Sequence, residues 1–562
     1  MAPSKHLALV AALAAVPFFA PSSASAQTIV LDAVIPAGTP RYFAVPFTVP
    51  EGIREIEVRH DDRSDANILD WGLADPSRFR GWGGGNTEAA VVNADAASRS
   101  YLPGAINAGQ WSVLVGQAKV VDQPARYHVE IDLRATPTLA AQTARRPYVD
   151  APALATGGRW YSGDFHVHSR ESGDASPTLD DIATYAQSRG LDFVELSDHN
   201  TVSQLDWVGD AQARHPNLLF VPGIEVTTYA GHANAIGATR WIDFRVGSAD
   251  PSPTLDTITA AAMAQGAVFS INHPMLNLGN VCIGCSWSLG DVPGRTGAVE
   301  IQNGQHSVTG TLFFHPSMRF WEAFLDRGEH VAPLGGSDDH SAGTDHGSLS
   351  SPIGGPTTLV WATELSVPAI VAAVRAGRTV VKLEGPGDPM VDLRSTDGAM
   401  LGDTISARHA TLRATVTRGM GAVLTLVRNG AAMDPITVDA DPFTATLAVD
   451  APSGTANDRW RCELTVNNQP RVVTGHLWIA ATGEAAPVDA GVVATDASSR
   501  ADAGTLDATR AGAAATTAGG CGCRTGAAPR GGLGGIVAMA WLLLRRPRRR
   551  SKCGAPGPVW SE

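Results

Sequence analysis

Residues 160–200 read WYSGDFHVHSRESGDASPTLDDIATYAQSRGLDFVELSDHN, and this stretch decides the fold. An apolar strand leads into the pair His166 and His168. Ser176 is a credible N-cap with Pro177 at the first helical position, a helix is predicted from Leu179 to Arg189, Gly190 ends it, and a strand from Asp192 to Ser197 follows. The same order of helix, glycine and strand recurs three times. It appears as Thr254 to Gln265, Gly266 and Ala267 to Ile271; as Ser317 to Arg327, Gly328 and Val331 to Leu334; and as Val367 to Ala376, Gly377 and Thr379 to Leu383. Four such units predict an α/β fold with a parallel sheet, closed into a barrel over residues 159–385.

Outside this region the pattern changes. Residues 27–135 alternate with period two, as in Trp111, Val113 and Val115, and predict a β-sandwich-like domain. An Ala-, Pro- and Thr-rich linker is expected over 136–158, a second β-sandwich-like domain over 386–481, and a disordered linker over 482–520. Residues 1–26 have a charged start, the apolar run Leu7 to Ala20 and the small-residue site Ala24-Ser25-Ala26, the signature of a secretory signal peptide. The chain is therefore expected to be exported, and to reside in the cell envelope, at the cell surface or outside the cell. Residues 521–562 hold Cys521, Cys523, an apolar stretch from Gly531 to Leu544 and the arginines 545, 546 and 548–550. They predict a transient or permanent C-terminal membrane anchor. Export favours disulfides, and Cys282 with Cys285, in a Gly- and Asn-rich loop, is expected to form a structural staple.

The chain has 562 residues, 44% hydrophobic and 17% charged, with a formal net charge of -12. This balance suits globular domains and argues against nucleic acid as a partner, because phosphate backbones are bound by dense Lys and Arg.

The chemistry is concentrated just after predicted strands, where a parallel α/β barrel places its active site. Eleven of the sixteen histidines lie between residues 166 and 346. His166 and His168, two apart at a strand end, project to the same side and can share one cation. Further along come Ser197-Asp198-His199-Asn200, then Gly223-Ile224-Glu225 with His232, Asn272-His273-Pro274, Glu300-Ile-Gln-Asn303, and Gly336-Ser337-Asp338-Asp339-His340. The candidate metal ligands are His166, His168, Asp174, His199, Glu225, His232, His273, Asp338 and His340. Asp338, His340 and Arg170 are the candidates for direct participation in catalysis, Arg170 as a bidentate donor to a phosphoryl group. Asn200 and Asn303 are candidate orienting residues.

In this order the motifs resemble those of the polymerase and histidinol phosphatase (PHP) superfamily of metal-dependent hydrolases, and within it the CehA/McbA-type metallohydrolases. The resemblance spans about Trp160 to Glu384. It implies a distorted (β/α)7 barrel holding up to three divalent ions, with His166, His168, Glu225 and Asp338 around one of them, Glu225 bridging, and Asp174, His199, His232, His273 and His340 shared among the others. The first motif departs from the usual pattern, because Asp174 lies six positions after His168 rather than five, so either Asp174 or Glu171 is the carboxylate ligand. The C-terminal tail is similar to the sorting tails of myxobacterial-type surface proteins.

Imidazole and carboxylate ligands without thiolate suit two or three ions of zinc, manganese or iron. Two such ions would deprotonate a bridging water and polarise the bond it attacks. The expected substrate is a small phosphoester. A carbamate or carboxylic ester cleaved at the same centre is the alternative, and an inactive, envelope-displayed binding protein is a third.

Overall fold

The strand that carries the paired histidines, Thr156–Val167, is the axis around which the rest is arranged. In the computed structural model, which describes residues 27–481 except 250, 280, 281, 346–350, 454 and 455, it pairs in parallel with Phe193–Leu196, itself parallel to Leu219–Pro222. A second sheet takes Glu225–Thr228, Gly231–Ile236, Val268–Ile271, Ala298–Asn303 and Ala332–Gly336 in that order. Backbone bonds join the two sheets on both sides. Asp338 N donates to His166 O at 2.8 Å and His168 N to Asp339 O at 3.0 Å, while Gly237 N donates to Pro222 O at 2.7 Å. Phe165, Phe193, Ile236, Val268, Ala298 and Leu334, drawn from both sheets, share one buried cluster.

The expectation of a purely parallel sheet is corrected. Glu225–Thr228 and Gly231–Ile236 form an antiparallel hairpin, and Thr357–Glu364 lies antiparallel to both Thr156–Val167 and Thr379–Lys382. The reason is chain length, since a parallel neighbour needs a crossover of about a dozen residues and only Tyr229 and Ala230 separate the hairpin strands. The class is α/β with mixed sheets.

Five α-helices are found among the described residues: Leu179–Ser188, Leu205–Arg214, Leu255–Met263, Thr311–Leu325 and Val367–Arg375. The first starts at Leu179 as predicted, but its cap is Thr178 rather than Ser176. The Thr178 hydroxyl accepts from Asp181 N while the Asp181 carboxylate accepts from Thr178 N, and this reciprocal box satisfies two end donors that Ser176 and Pro177 leave unmet. The fourth starts at Thr311, ahead of the predicted Ser317, with Pro316 in its second turn. No helix of the described residues is long and apolar enough to cross a membrane. The predicted signal peptide, residues 482–520 and the C-terminal tail lie outside the described residues.

In the N-terminal part, two four-stranded antiparallel sheets enclose a core of Ile56, Trp111, Val113, Ile131 and Leu133. The segment 136–158 is not a free linker. Thr138 N and Leu139 N donate to the buried Glu55 at 2.9 Å, Arg145 bonds Asp206 at 3.1 Å, and Thr156 already belongs to the central strand. The C-terminal β region also continues the central sheet, because Thr379–Lys382 pairs antiparallel with Gln469–Thr474, and this ladder crosses the predicted boundary at 385/386.

Candidate metal centre

The sequence-predicted ligands converge. Glu225 Oε1 lies 3.3 Å from His166 Nε2, 3.5 Å from His273 Nε2 and 3.5 Å from His232 Nδ1. Asp338 Oδ1 is 3.3 Å from His166 Nε2 and 3.2 Å from His168 Nε2. On the outer side of the cluster, Asp174 faces His199 Nε2 at 3.5 Å and His340 Nε2 at 3.6 Å. Three groups, His166–His168–Asp338, Glu225–His232–His273 and His168–His199–His340, each have ligand atoms within 4.8 Å of one another, and the first and third share His168.

The fold aims these groups by holding the other side of each ring. His166 Nδ1 donates to Glu300 at 3.2 Å, His273 Nδ1 to Cys285 O at 3.2 Å, His232 Nε2 to Ile283 O at 3.3 Å and His340 Nδ1 to Asp338 O at 2.9 Å. His168 Nδ1 bonds the Ser172 hydroxyl at 2.9 Å and His199 Nδ1 the Thr227 hydroxyl at 2.8 Å. Five of these imidazoles have one nitrogen anchored and the other turned inward, the arrangement by which outer partners fix ligand tautomers, whereas His199 also turns Nδ1 to Glu225 Oε2 at 2.6 Å. Three residues at strand ends, Asn200, His273 and Asp338, have positive φ of 55°, 27° and 58°. Such backbone is costly for non-glycine residues and concentrates at functional sites.

The donor set fits cations. His166 Nε2 and His168 Nε2 are buried and make no hydrogen bond, although they face carboxylates. An unsatisfied buried nitrogen costs about 1–3 kcal/mol, which coordination would remove. The protonation pattern agrees. Burial would depress the imidazolium of His166, but Asp338, Glu225 and Glu300 outweigh it and hold this ring well above its ordinary value. His168, facing His340 and His199, is pushed down to about 3, chiefly by burial. Burial would raise Glu225 and Asp338, but the surrounding histidines hold both well below the usual carboxylate range. Positive charge is what the buried carboxylates require.

Glu171 and Arg170 fall elsewhere. Glu171 points away from the cluster and accepts from Ser100 N, Ser203 Oγ and Trp207 Nε1, so of the two first-motif carboxylates only Asp174 reaches the histidines. Arg170 is exposed and does not line the cavity. Asn200 bonds Thr227 and Asn303 bonds Glu300, each beside a ligand. His215, His306 and His330 stay outside, held by Asp180, Gln302 and Trp478.

Sequence reasoning missed the outer residues. Glu300 lay in a recognised motif but was not assigned its bond to His166. Asp198, fully buried, accepts from Ser169 N and Ser172 N and so fixes the turn that follows His168. The N-terminal sheets also supply one wall of the cavity, of about 510 Å³, with Tyr42, Asp70, Trp82 and Gly83–Asn86 opposite the metal ligands. Tyr229 Oη donates to Asp70 at 2.6 Å across the junction. No local motif marks Asp70, because its role depends on how two distant parts of the chain pack.

No protein-family model matches the chain, and no curated protein matches it in sequence. Among solved structures, a two-domain protein from Bacteroides vulgatus containing a predicted PHP-like metal-dependent phosphoesterase is 19% identical, with 60% of this chain and 100% of that one covered at a TM-score of 0.31. An amidohydrolase from Chromobacterium violaceum with bound sulfate and no metal is 18% identical over 34% of this chain and 93% of its own (TM-score 0.22). A candidate metal-dependent phosphoesterase from Bifidobacterium adolescentis is 16% identical over 33% and 89% (TM-score 0.23).

Proposed function

We propose that this chain is an exported, metal-dependent hydrolase that cleaves a small phosphoester, with a (β/α)7 barrel of the PHP type as its catalytic part. The observation that carries the reading is the inward-facing, hydrogen-bond-free pair His166 Nε2 and His168 Nε2 between Glu225 and Asp338. His166, His168, Glu225 and Asp338 would hold one ion, Glu225, His232 and His273 a second, and Asp174, His199 and His340 a third. Divalent zinc, manganese or iron held there supplies the Lewis acidity that activates water and the bond to be broken. The protein's own part is to fix the ligands through Glu300, Ser172 and Thr227, to bury the centre, and to receive the leaving group against Tyr42, Trp82 and Asp70. Asp338 and His340, on one loop with His340 Nδ1 donating to Asp338 O, set the spacing between the first and third positions.

One observation favours the alternative of a carbamate or carboxylic ester. Tyr42, Ile68, Trp82, Ala118 and Phe244 line the cavity, and among the described residues no Lys or Arg does, so a neutral aryl substrate finds apolar contact and an anion depends on the ions alone. The deciding test is hydrolysis of p-nitrophenyl phosphate and of 1-naphthyl carbamate by the manganese-loaded protein and its His168→Ala variant. Phosphate release lost in the variant upholds the proposal, 1-naphthol release alone replaces it with the alternative, and a protein that takes up no transition ion is a binding protein.

A further inference from the structure

We infer that the Cys282–Cys285 disulfide is the positioning device of the second metal position, holding His232 and His273 through the backbone carbonyls that it closes into a loop. The inference rests on the metal reading above and extends it to residues that never touch an ion. The two carbonyls that receive the outer ring nitrogens of these histidines, Ile283 O at 3.3 Å from His232 Nε2 and Cys285 O at 3.2 Å from His273 Nδ1, both belong to the four-residue loop joined by that disulfide. Both histidines turn their remaining nitrogen to the same Glu225 Oε1, each at 3.5 Å. The other ligand histidines are anchored by side chains or by the Asp338 carbonyl, and none uses this loop.

The loop is itself held at a fixed height above the ligands. Gly284 has φ +85°, and a Cβ there would run into the Thr228 carbonyl, so the loop lies directly on the hairpin that carries Glu225 and His232. Trp287 N donates to Pro274 O at 2.9 Å and Ser288 N to Ala230 O at 2.7 Å, which pins the loop's exit to the turns beside both histidines. With the crosslink open, residues 282–285 regain backbone freedom between their pinned ends, and the two carbonyl acceptors are no longer fixed. Losing such outer partners typically weakens metal binding 10–100-fold. The effect is confined to Glu225–His232–His273, because the other groups have independent anchors.

The experiment uses the full chain loaded with cobalt, with bound ions counted by elemental analysis and their affinities read by calorimetric titration. The ligand-field absorption bands serve as a signature of each position. A phosphine reductant opens the disulfide, with one water supplying the oxygen of the phosphine oxide and the two thiol protons, and is removed before titration. The expected result is a 10–100-fold weaker affinity for one ion and loss of its bands, the others unchanged, with recovery on reoxidation. Gly284→Val, which keeps the crosslink but lifts the loop, and the double variant C282S/C285S should show the same selective loss. Equal affinities before and after reduction, or free thiols at 282 and 285 in peptide mapping of the untreated protein, would overturn the inference. Tighter binding after reduction would also overturn it, because the sulfurs and a His232 nitrogen lie within 4.8 Å of one another and thiolates would then be ligands. An oxidised protein that binds no cobalt at all would instead reject the metallohydrolase reading.

Discussion

Glu300 Oε1 lies 3.2 Å from His166 Nδ1, on the side of the ring opposite the carboxylates of Glu225 and Asp338. This single contact decides which nitrogen of His166 is offered to a cation. The other oxygen of Glu300 accepts from His273 N at 2.7 Å, so one buried carboxylate orients two ligands. Glu300→Gln keeps the shape and removes the charge. Affinity for the first ion should fall about 10–100-fold, read by calorimetric titration, while the fold by circular dichroism stays unchanged.

Gly336 ends the strand Ala332–Gly336 so close to the centre that a Cβ would strike His166 Cβ and Glu300 Oε1. Gly336→Ala must push one of them aside. The expected cost is about 1–3 kcal/mol in denaturant unfolding, together with loss of metal from the position built on His166. Full metal content in a protein of unchanged stability would show that the strand end yields more than its packing implies.

Asp70 is half-buried in the cavity wall, and desolvation there pushes its carboxyl up to about 6. In the unfolded chain it ionises near its ordinary value of 3.8, so between those two pH values the unfolded state releases its proton first. Stability of the metal-free protein should therefore decline as pH rises from about 4 to 6 and level off above that. Asp70→Asn, which still accepts from Tyr229 Oη, should flatten this segment of the melting temperature against pH. An unaltered slope would mean that Asp70 titrates like a solvated acid.

Arg170 was the sequence's choice for a phosphoryl clamp, but its side chain lies in solvent. Arg170→Ala should leave kcat/KM unchanged and stability within about 0.5 kcal/mol. His340→Ala, by contrast, should lose the third ion and most activity. Equal losses in both variants would return Arg170 to the site.

The part of the site that sequence could reveal was the part built from strand ends. His166, His168, His199, Glu225, His273, Asp338 and His340 each follow an apolar run, and period and punctuation locate such positions. What could not be read was whatever depends on a neighbour chosen by packing. The hairpin at Tyr229 and Ala230 reverses a strand that periodicity alone treats as parallel. Asp70 and Trp82 reach the cavity only because the first β region folds against the histidine-bearing one. Spacing left Glu171 as an alternative to Asp174, and the choice is made by Ser100, Ser203 and Trp207, which draw Glu171 outward. At the helix Leu179–Ser188 the start was legible but the cap was not, because the Thr178–Asp181 box outranks the Ser176-Pro177 signal.

The ladder between Thr379–Lys382 and Gln469–Thr474 has a consequence for how the chain is made. Until Gln469–Thr474 has been synthesised, Thr379–Lys382, two strands away from Thr156–Val167 in this sheet, has no mate on its outer edge. A shortened gene product stopping near residue 385 would expose that raw edge to other copies of itself and clump rather than work. The ligand-bearing half therefore matures only when its last partner arrives.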